Sequence, residues 1–226
     1  MTTDSPNGSE PLPGPAPVVS IVVPCYCEEE MLPLSIPVLT GVLDDMIRDG
    51  VADPASELVL VDDGSLDGTW AVIREAHAAS PRVRGLRLSA NRGQLNAMFA
   101  GLEAARGDFV ITIDSDLQDD VSVIRYMVLD ARKGVDVVFG VRRARSSDTF
   151  FKRFSAQAFY KLMAFFGFYF VYNYSDFIGF SRRSAVLLKN YLEKSLYLSA
   201  LVRQFGFRIT MVSYDRRERA SVETKY

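Results

Sequence analysis

The sequence predicts an α/β fold, with a mostly parallel sheet flanked by helices. Three observations predict it. Short apolar, β-prone runs alternate with stretches of helical periodicity from residue 18 to about 140, the order expected of parallel strands joined by right-handed crossovers. Acidic or amide-rich loops at 24–30, 62–69 and 114–120 each follow such a run, so their side chains converge on one rim, where open α/β sheets place ligands. A hydrophobic content of 48% is enough for a substantial core.

The elements follow in order. Val18 to Val23 reads as a buried strand ended by Pro24, and Glu28-Glu29-Glu30 opens a helix well placed against its dipole. Leu32, Ile36, Leu39 and Leu43 recur at helical spacing; Pro33 fits an early turn, whereas Pro37 kinks or delays the helix. A second strand, Glu57–Val61, runs into Asp62-Asp63-Gly64-Ser65. Asp67 then caps a helix carrying Trp70 and Ile73, which Ser80-Pro81 stops. Val83 to Leu88 is a third strand. Leu95, Met98, Phe99 and Leu102 mark one face of the next helix, which Gly107 ends. Phe109–Ile113 is a fourth strand. Ile124, Met127, Val128 and Ala131 give a helix closing at Gly134, and Val135–Phe139 is a fifth strand.

Composition narrows the function classes. A formal charge of −2 argues against nucleic acid as a main partner. Cys25, Cys27 and the single histidine, His77, are too few ligands of that kind for a zinc site. The two cysteines read as buried small hydrophobes rather than a disulfide pair. Residues 1–17 are polar and rich in Pro and Gly, a disordered tail rather than a signal peptide. Residues 18–226 are then read as one domain, in two halves at 18–141 and 142–226. No uncharged apolar stretch reaches the ~18 residues of a membrane span. Neither Gly-x-Gly-x-x-Gly nor a Walker-type Gly-Lys-Ser/Thr occurs, which lowers the dinucleotide and phosphoryl-transfer readings.

Asp114-Ser115-Asp116-Leu117-Gln118-Asp119-Asp120 carries the chemistry. Asp114 and Asp116 are two apart, so in extended chain they point the same way. Two hard oxygen ligands suit Mg²⁺ or Mn²⁺ held partly by a substrate's phosphates. The competing reading is an acidic turn before a helix, with Asp119 or Asp120 as N-cap.

Together the loops resemble the GT-A family 2 glycosyltransferases. Val22-Val23-Pro24-Cys25-Tyr26-Cys27-Glu28-Glu29 is similar to their first-strand motif. Val61-Asp62-Asp63-Gly64-Ser65-Leu66-Asp67-Gly68-Thr69 is similar to the second, Asn91-Arg92-Gly93-Gln94-Leu95-Asn96-Ala97 to the third, and Asp114-Ser115-Asp116-Leu117-Gln118 to the metal motif. The second half, through Gly140-Val141-Arg142, Ser175-Asp176-Phe177, Ser181-Arg182 and Arg216…Arg219…Thr224-Lys225-Tyr226, resembles the polyprenyl-phosphate sugar synthases of the dolichyl-phosphate mannose synthase and bactoprenol glucosyltransferase type. Cys27, Ile178 and Val222 stand where that family usually has Asn, Arg and Gly, and Asp119-Asp120 lacks its usual prolines. Many relatives continue into transmembrane helices after the Lys-Tyr pair, which leaves open a truncated form and one that never had them.

The resemblance implies metal-dependent, inverting transfer of a hexose from a nucleotide sugar (UDP- or GDP-hexose) to a polyprenyl (dolichyl or undecaprenyl) phosphate. Donor binding falls to Pro24, Tyr26, Glu28, Asp62, Asp63, Gly93, Gln94, Asp114 and Ser115, with Asp62 and Glu28 on the nucleoside. Asp114, Asp116 and Gln118 would hold Mg²⁺ or Mn²⁺, and Asp116 and Asp176 are the catalytic candidates. Asp176 is either a base or a group that orients the acceptor or steadies an oxocarbenium-like sugar, since a phosphate monoester is already an anion at neutral pH. Arg142, Arg153, Arg216, Arg219 and Lys225 are the candidates for the acceptor phosphate. Arg142, Arg143, Arg145, Lys152, Arg153 and Lys161 oppose the single acid Asp148, and the aromatic run Phe159–Phe170 lies beside them. Those features suit an amphipathic segment at the surface of a membrane, on its cytosolic face; core packing is the competing reading for the aromatics. A homo-oligomer or a membrane partner subunit is left open. Two rival functions remain: transfer to a saccharide or other non-lipid acceptor, and a non-catalytic membrane-associated scaffold.

Overall fold

A computed structural model describes residues 14–143, 174–192 and 205–215. In chain order the elements are β1 (Val19–Cys25), α1 (Leu32–Arg48), β2 (Glu57–Asp62), α2 (Thr69–Ala79), β3 (Val83–Arg87), α3 (Gln94–Ala104), β4 (Phe109–Thr112), α4 (Val123–Arg132), β5 (Val137–Arg142), β6 (Tyr174–Ser181), α5 (Arg182–Leu192) and β7 (Ile209–Tyr214). The strands form one sheet in the order β3-β2-β1-β4-β6-β5-β7. All pairings are parallel except those of β6, which runs against both β4 and β5.

Alternation along the strands supplies two faces. Ile21, Val23, Leu58 and Leu60 join one core with Leu32, Leu39, Leu43 and Met46 of α1, Ile73 of α2 and Met127 of α4. Val22, Val59 and Val61 join the other, with Ala97, Met98 and Leu102 of α3 and Leu188 of α5. Both faces of the sheet are therefore covered, and the central strands are apolar almost throughout. Among the described residues no helix is long and apolar enough to cross a membrane.

Several expectations change. β1 continues through Pro24, which pairs with Val61, and ends at Cys25 opposite Asp62. Glu28-Glu29-Glu30 do not open α1: they form the turn before it, where the Glu28 carbonyl accepts the Met31 and Leu32 N–H groups. Helix α1 runs through Pro37. Gly68 rather than Asp67 occupies the cap position of α2, although the Asp67 carboxylate accepts the Thr69 N–H at 3.1 Å. Helix α3 buries Ala97, Met98, Gly101 and Leu102 and leaves Leu95 half exposed, because Gly101 lies against Val22 and Val61 and turns its own side of the helix to the sheet. Cys25 is buried, but Cys27 is exposed and sits in the left-handed region at φ 54°. The fifth strand starts at Val137 and includes Gly140-Val141-Arg142. Strand β6 and helix α5 were not anticipated; α5 does carry a helical pattern, with Ala185 and Leu188 buried and Val186 exposed. The basic and aromatic segment expected to lie at the membrane falls, from residue 144 onward, outside the described residues.

Candidate active site

The topology gathers the site on one rim. β1, β2 and β4 deliver their carboxyl ends there, as do β5 and β7 farther along the sheet. β6 runs the other way, so its first residues reach the same rim: Thr112 pairs with Ile178, which sets Asp176 beside the chain leaving β4. The Thr112 hydroxyl donates to the Asp176 carbonyl and fixes that edge.

Loop locks to loop around the rim. Asp62 is fully buried; its Oδ1 accepts the Ser65 N–H at 2.8 Å, and its Oδ2 lies 3.0 Å from Arg87 Nε without a directed hydrogen bond. Gly64 takes φ 71° and packs so closely on Ala90 and Asn91 that a side chain has no room. Asp63 turns the other way and accepts the Arg92 and Gly93 N–H groups at 2.7 and 2.8 Å. The loop after β1 is tied down by the Cys27 and Glu28 N–H groups, which donate to Ser65 Oγ and Thr69 Oγ1.

An open cleft of about 380 Å³ results, within the range of small-ligand sites. Of the residues expected to bind a donor, Pro24, Tyr26, Glu28, Asp63, Gly93, Gln94, Asp114 and Ser115 all line it. Asp62 does not; it braces the turn beneath. Asp116 lines the cleft too, with its Oδ1 accepting the Gln118 N–H at 3.0 Å. Between them Leu117 takes φ 54°, a strained conformation for a branched side chain. Asn91 also lines the cleft; its motif was legible, its position was not.

Acids crowd this rim. Gln94 Nε2 donates to Asp114 Oδ1 at 2.7 Å and to Asp176 Oδ2 at 2.9 Å, so the two carboxylates share one amide. Burial, then the charges of Asp176, Asp119 and Asp116, push the Asp114 carboxyl up to about 6. Burial and Asp119 likewise raise Asp176, against the pull of Arg142. Asp119 does not cap α4; Ser122 holds that position. Asp119 is instead buried, accepting Tyr214 Oη–H at 2.6 Å and Arg142 Nε–H at 3.1 Å. Arg142, expected on the acceptor phosphate, thus has its guanidinium engaged by Asp119, with Nη2 at 3.0 Å. Arg153, Arg216, Arg219 and Lys225 lie outside the described residues. No sequence signal marked Tyr214, because its role depends on β7 lying beside β5. The Cys25 thiol is pushed far up by burial, which removes it as a nucleophile.

Among the described residues no three His, Cys, Asp or Glu side chains converge as a metal cage. Asp114 and Asp116 on one cleft, with an excess of acid around them, fit a hard divalent cation that takes its remaining ligands from a diphosphate and water.

The profile of "Glycosyl transferase family 2" matches residues 20–195. The chain belongs to glycosyl transferase family 2. This glycosyltransferase is 45% identical over 212 residues to the uncharacterized glycosyltransferase YkoT of Bacillus subtilis, covering 93% of this chain and 63% of that one. It is 32% identical over 209 residues to a prophage bactoprenol glucosyl transferase homolog of Escherichia coli, covering 92% of this chain and 66% of that one. The chain therefore spans just under two thirds of the length of these curated relatives. Its fold is similar to that of a mannosyltransferase from Pyrobaculum calidifontis, solved in complex with GDP-Man and Mn²⁺, at a TM-score of 0.59 and 19% identity over 96% of this chain and 62% of that one. The α/β architecture is thus of the GT-A kind.

Proposed function

We propose that this glycosyltransferase moves a hexose from a nucleotide sugar to a polyprenyl phosphate, with inversion at the anomeric carbon. The observation that carries the donor half is the single cleft shared by Pro24, Tyr26, Glu28, Asp63, Gly93, Gln94, Asp114, Ser115 and Asp116. Its lining combines carboxylates with neutral polar groups, a chemistry that suits a nucleoside and a metal-bound diphosphate. The acceptor half draws on the name of the Escherichia coli relative and on the basic and aromatic residues of 142–170.

Asp114 and Asp116, with Gln118 beside them, would hold Mg²⁺ or Mn²⁺. When bound, the ion supplies Lewis-acid stabilisation of the departing nucleoside diphosphate. Glu28, on the cleft wall, suits ribose hydroxyl or base N–H donors, since an ionised acceptor makes the stronger hydrogen bonds. An acceptor phosphate monoester has its second pKa at about 6, so its oxygen attacks as an anion and needs alignment more than deprotonation. The new bond joins that oxygen to the sugar's anomeric carbon as the bond to the nucleoside diphosphate breaks. Asp176, across the amide from Asp114, orients the attacking group against the sugar. Arg142 lies near enough to favour the charged form of Asp176, and Arg153, Arg216, Arg219 and Lys225 would steer the phosphate. Such a protein works as a peripheral enzyme at the cytosolic face of a membrane, alone, as an oligomer or with a membrane partner.

Radiolabelled UDP- or GDP-hexose incubated with polyprenyl phosphate and Mn²⁺ tests the reading. The expected result is label in an organic-soluble product. Label passing only to an added saccharide would replace the lipid acceptor with the rival one, and no transfer to any acceptor would favour the scaffold.

A further inference from the structure

One side chain joins the two halves of this site. Gln94, the first residue of α3, stands where the main cleft meets a second cavity of about 180 Å³, and Pro24 and Asp114 complete the shared wall. Leu95, Met98 and Ile113 give the smaller cavity its apolar lining, and Asp176 lies at its edge. An amide nitrogen carries two N–H groups. Both are engaged here, one by Asp114 at 2.7 Å and the other by Asp176 at 2.9 Å. The two carboxylates come from opposite-running strands and repel one another. The amide brings two positive hydrogens between them without adding net charge.

We propose that Gln94 is a positioning residue that couples these carboxylates and competes with the divalent cation. Its amide occupies Asp114 Oδ1, one of the two oxygens that this carboxylate can offer a cation. When a cation takes that oxygen, the amide stays on Asp176 and holds it at the edge of the smaller cavity. Loading of the donor side is thereby linked to the placement of the acceptor-side carboxylate. This rests on the metal reading above and is independent of the acceptor's identity.

The test is Mn²⁺ binding by the full chain, followed by loss of the free-ion EPR signal, without nucleotide and with UDP or GDP. Gln94→Met keeps the length of the side chain and removes both donors. It is expected to bind Mn²⁺ more tightly by about threefold or more, since one charge-assisted hydrogen bond no longer competes. Gln94→Glu is isosteric and replaces the donors by a third acid; it is expected to bind about tenfold more tightly. In the transfer assay kcat of Gln94→Met falls by about tenfold, as expected when alignment is lost. Melting curves in chelator report whether each variant folds, and Gln94→Glu decides if Gln94→Met does not. Equal or weaker Mn²⁺ binding in a folded variant overturns the proposal and leaves the metal site standing. No Mn²⁺ binding by the unaltered chain under any of these conditions overturns the metal reading and the proposal with it.

Discussion

Asp114 is the residue where structure and chemistry press hardest on each other. Its carboxyl titrates at about 6 instead of 3.8 because burial and three neighbouring acids disfavour its charge. A raised carboxylate pKa means the folded chain holds a proton that the unfolded chain has lost, so stability falls as pH rises from about 4 to about 6. Above that window the cost is fully present. In chelator, Asp114→Asn is therefore expected to stabilise the protein at pH 7.5 by about 1–2 kcal/mol, a figure reduced for the solvent that reaches the cleft. The gain should vanish by pH 4. Thermal unfolding at the two pH values checks it, and equal gains at both would refute the electrostatic account. Asp62 and Asp119 show what one-dimensional reading cannot supply. Both are acids in polar loops next to strands, as Asp63 and Asp114 are. Only the fold decides that Asp62 is buried under its own turn and that Asp119 is engaged by Arg142 and Tyr214.

At the scale of elements, the first five strands and four helices were legible because each carries its own period or apolar run. The face that α3 turns inward was not. Leu95, Met98, Phe99 and Leu102 make the better hydrophobic stripe, yet the contact is set by Gly101, whose missing side chain lets the helix approach β1 and β2. A Cβ there would run into Val22 and lie 3.0 Å from Val61 Cγ2. Alanine gains up to about 1 kcal/mol of helix propensity over glycine, but overpacking a close-packed contact costs about 1–3 kcal/mol. Gly101→Ala is expected to lower stability by about 1–2 kcal/mol in urea unfolding. Since Gln94 begins the same helix, the shift should also reduce transfer activity. Strand β6 escaped notice for a different reason. It has a polar start and pairs only with strands distant in sequence, so no local pattern announces it.

Across the whole molecule, the two ends of the sheet treat carboxylates in opposite ways. At the site end Asp114 and Asp176 face one another across the Gln94 amide and are raised. At the far end Glu57 is buried as well, and burial alone would raise it. Hydrogen bonds from Arg84, the Arg106 N–H and the Ser20 hydroxyl outweigh that and bring it below its usual value. These partners tie β2 to β1, β3 and the turn before β4. A depressed pKa stabilises the fold above the unfolded value of 4.5 and loses that stabilisation as pH falls through the folded one. Glu57→Gln keeps the shape but not the charge, and is expected to cost about 1–3 kcal/mol at pH 7. The gap to the unaltered protein should close in strong acid, as followed by urea unfolding against pH. The far end is thus a foundation, while the near end holds unfavourable charge in reserve for a ligand to neutralise.

The reversal of β6 has a consequence for how this molecule can change. Strand β5 ends on the site rim and β6 begins there, with Val141 already paired to Tyr174. The chain between them leaves and returns at neighbouring points of one doorway. Its length and composition can be rewritten without rethreading any strand, because β5 and β6 pair with each other directly. A change between these two strands leaves the donor side, held by β1, β2 and β4, with every pairing it has.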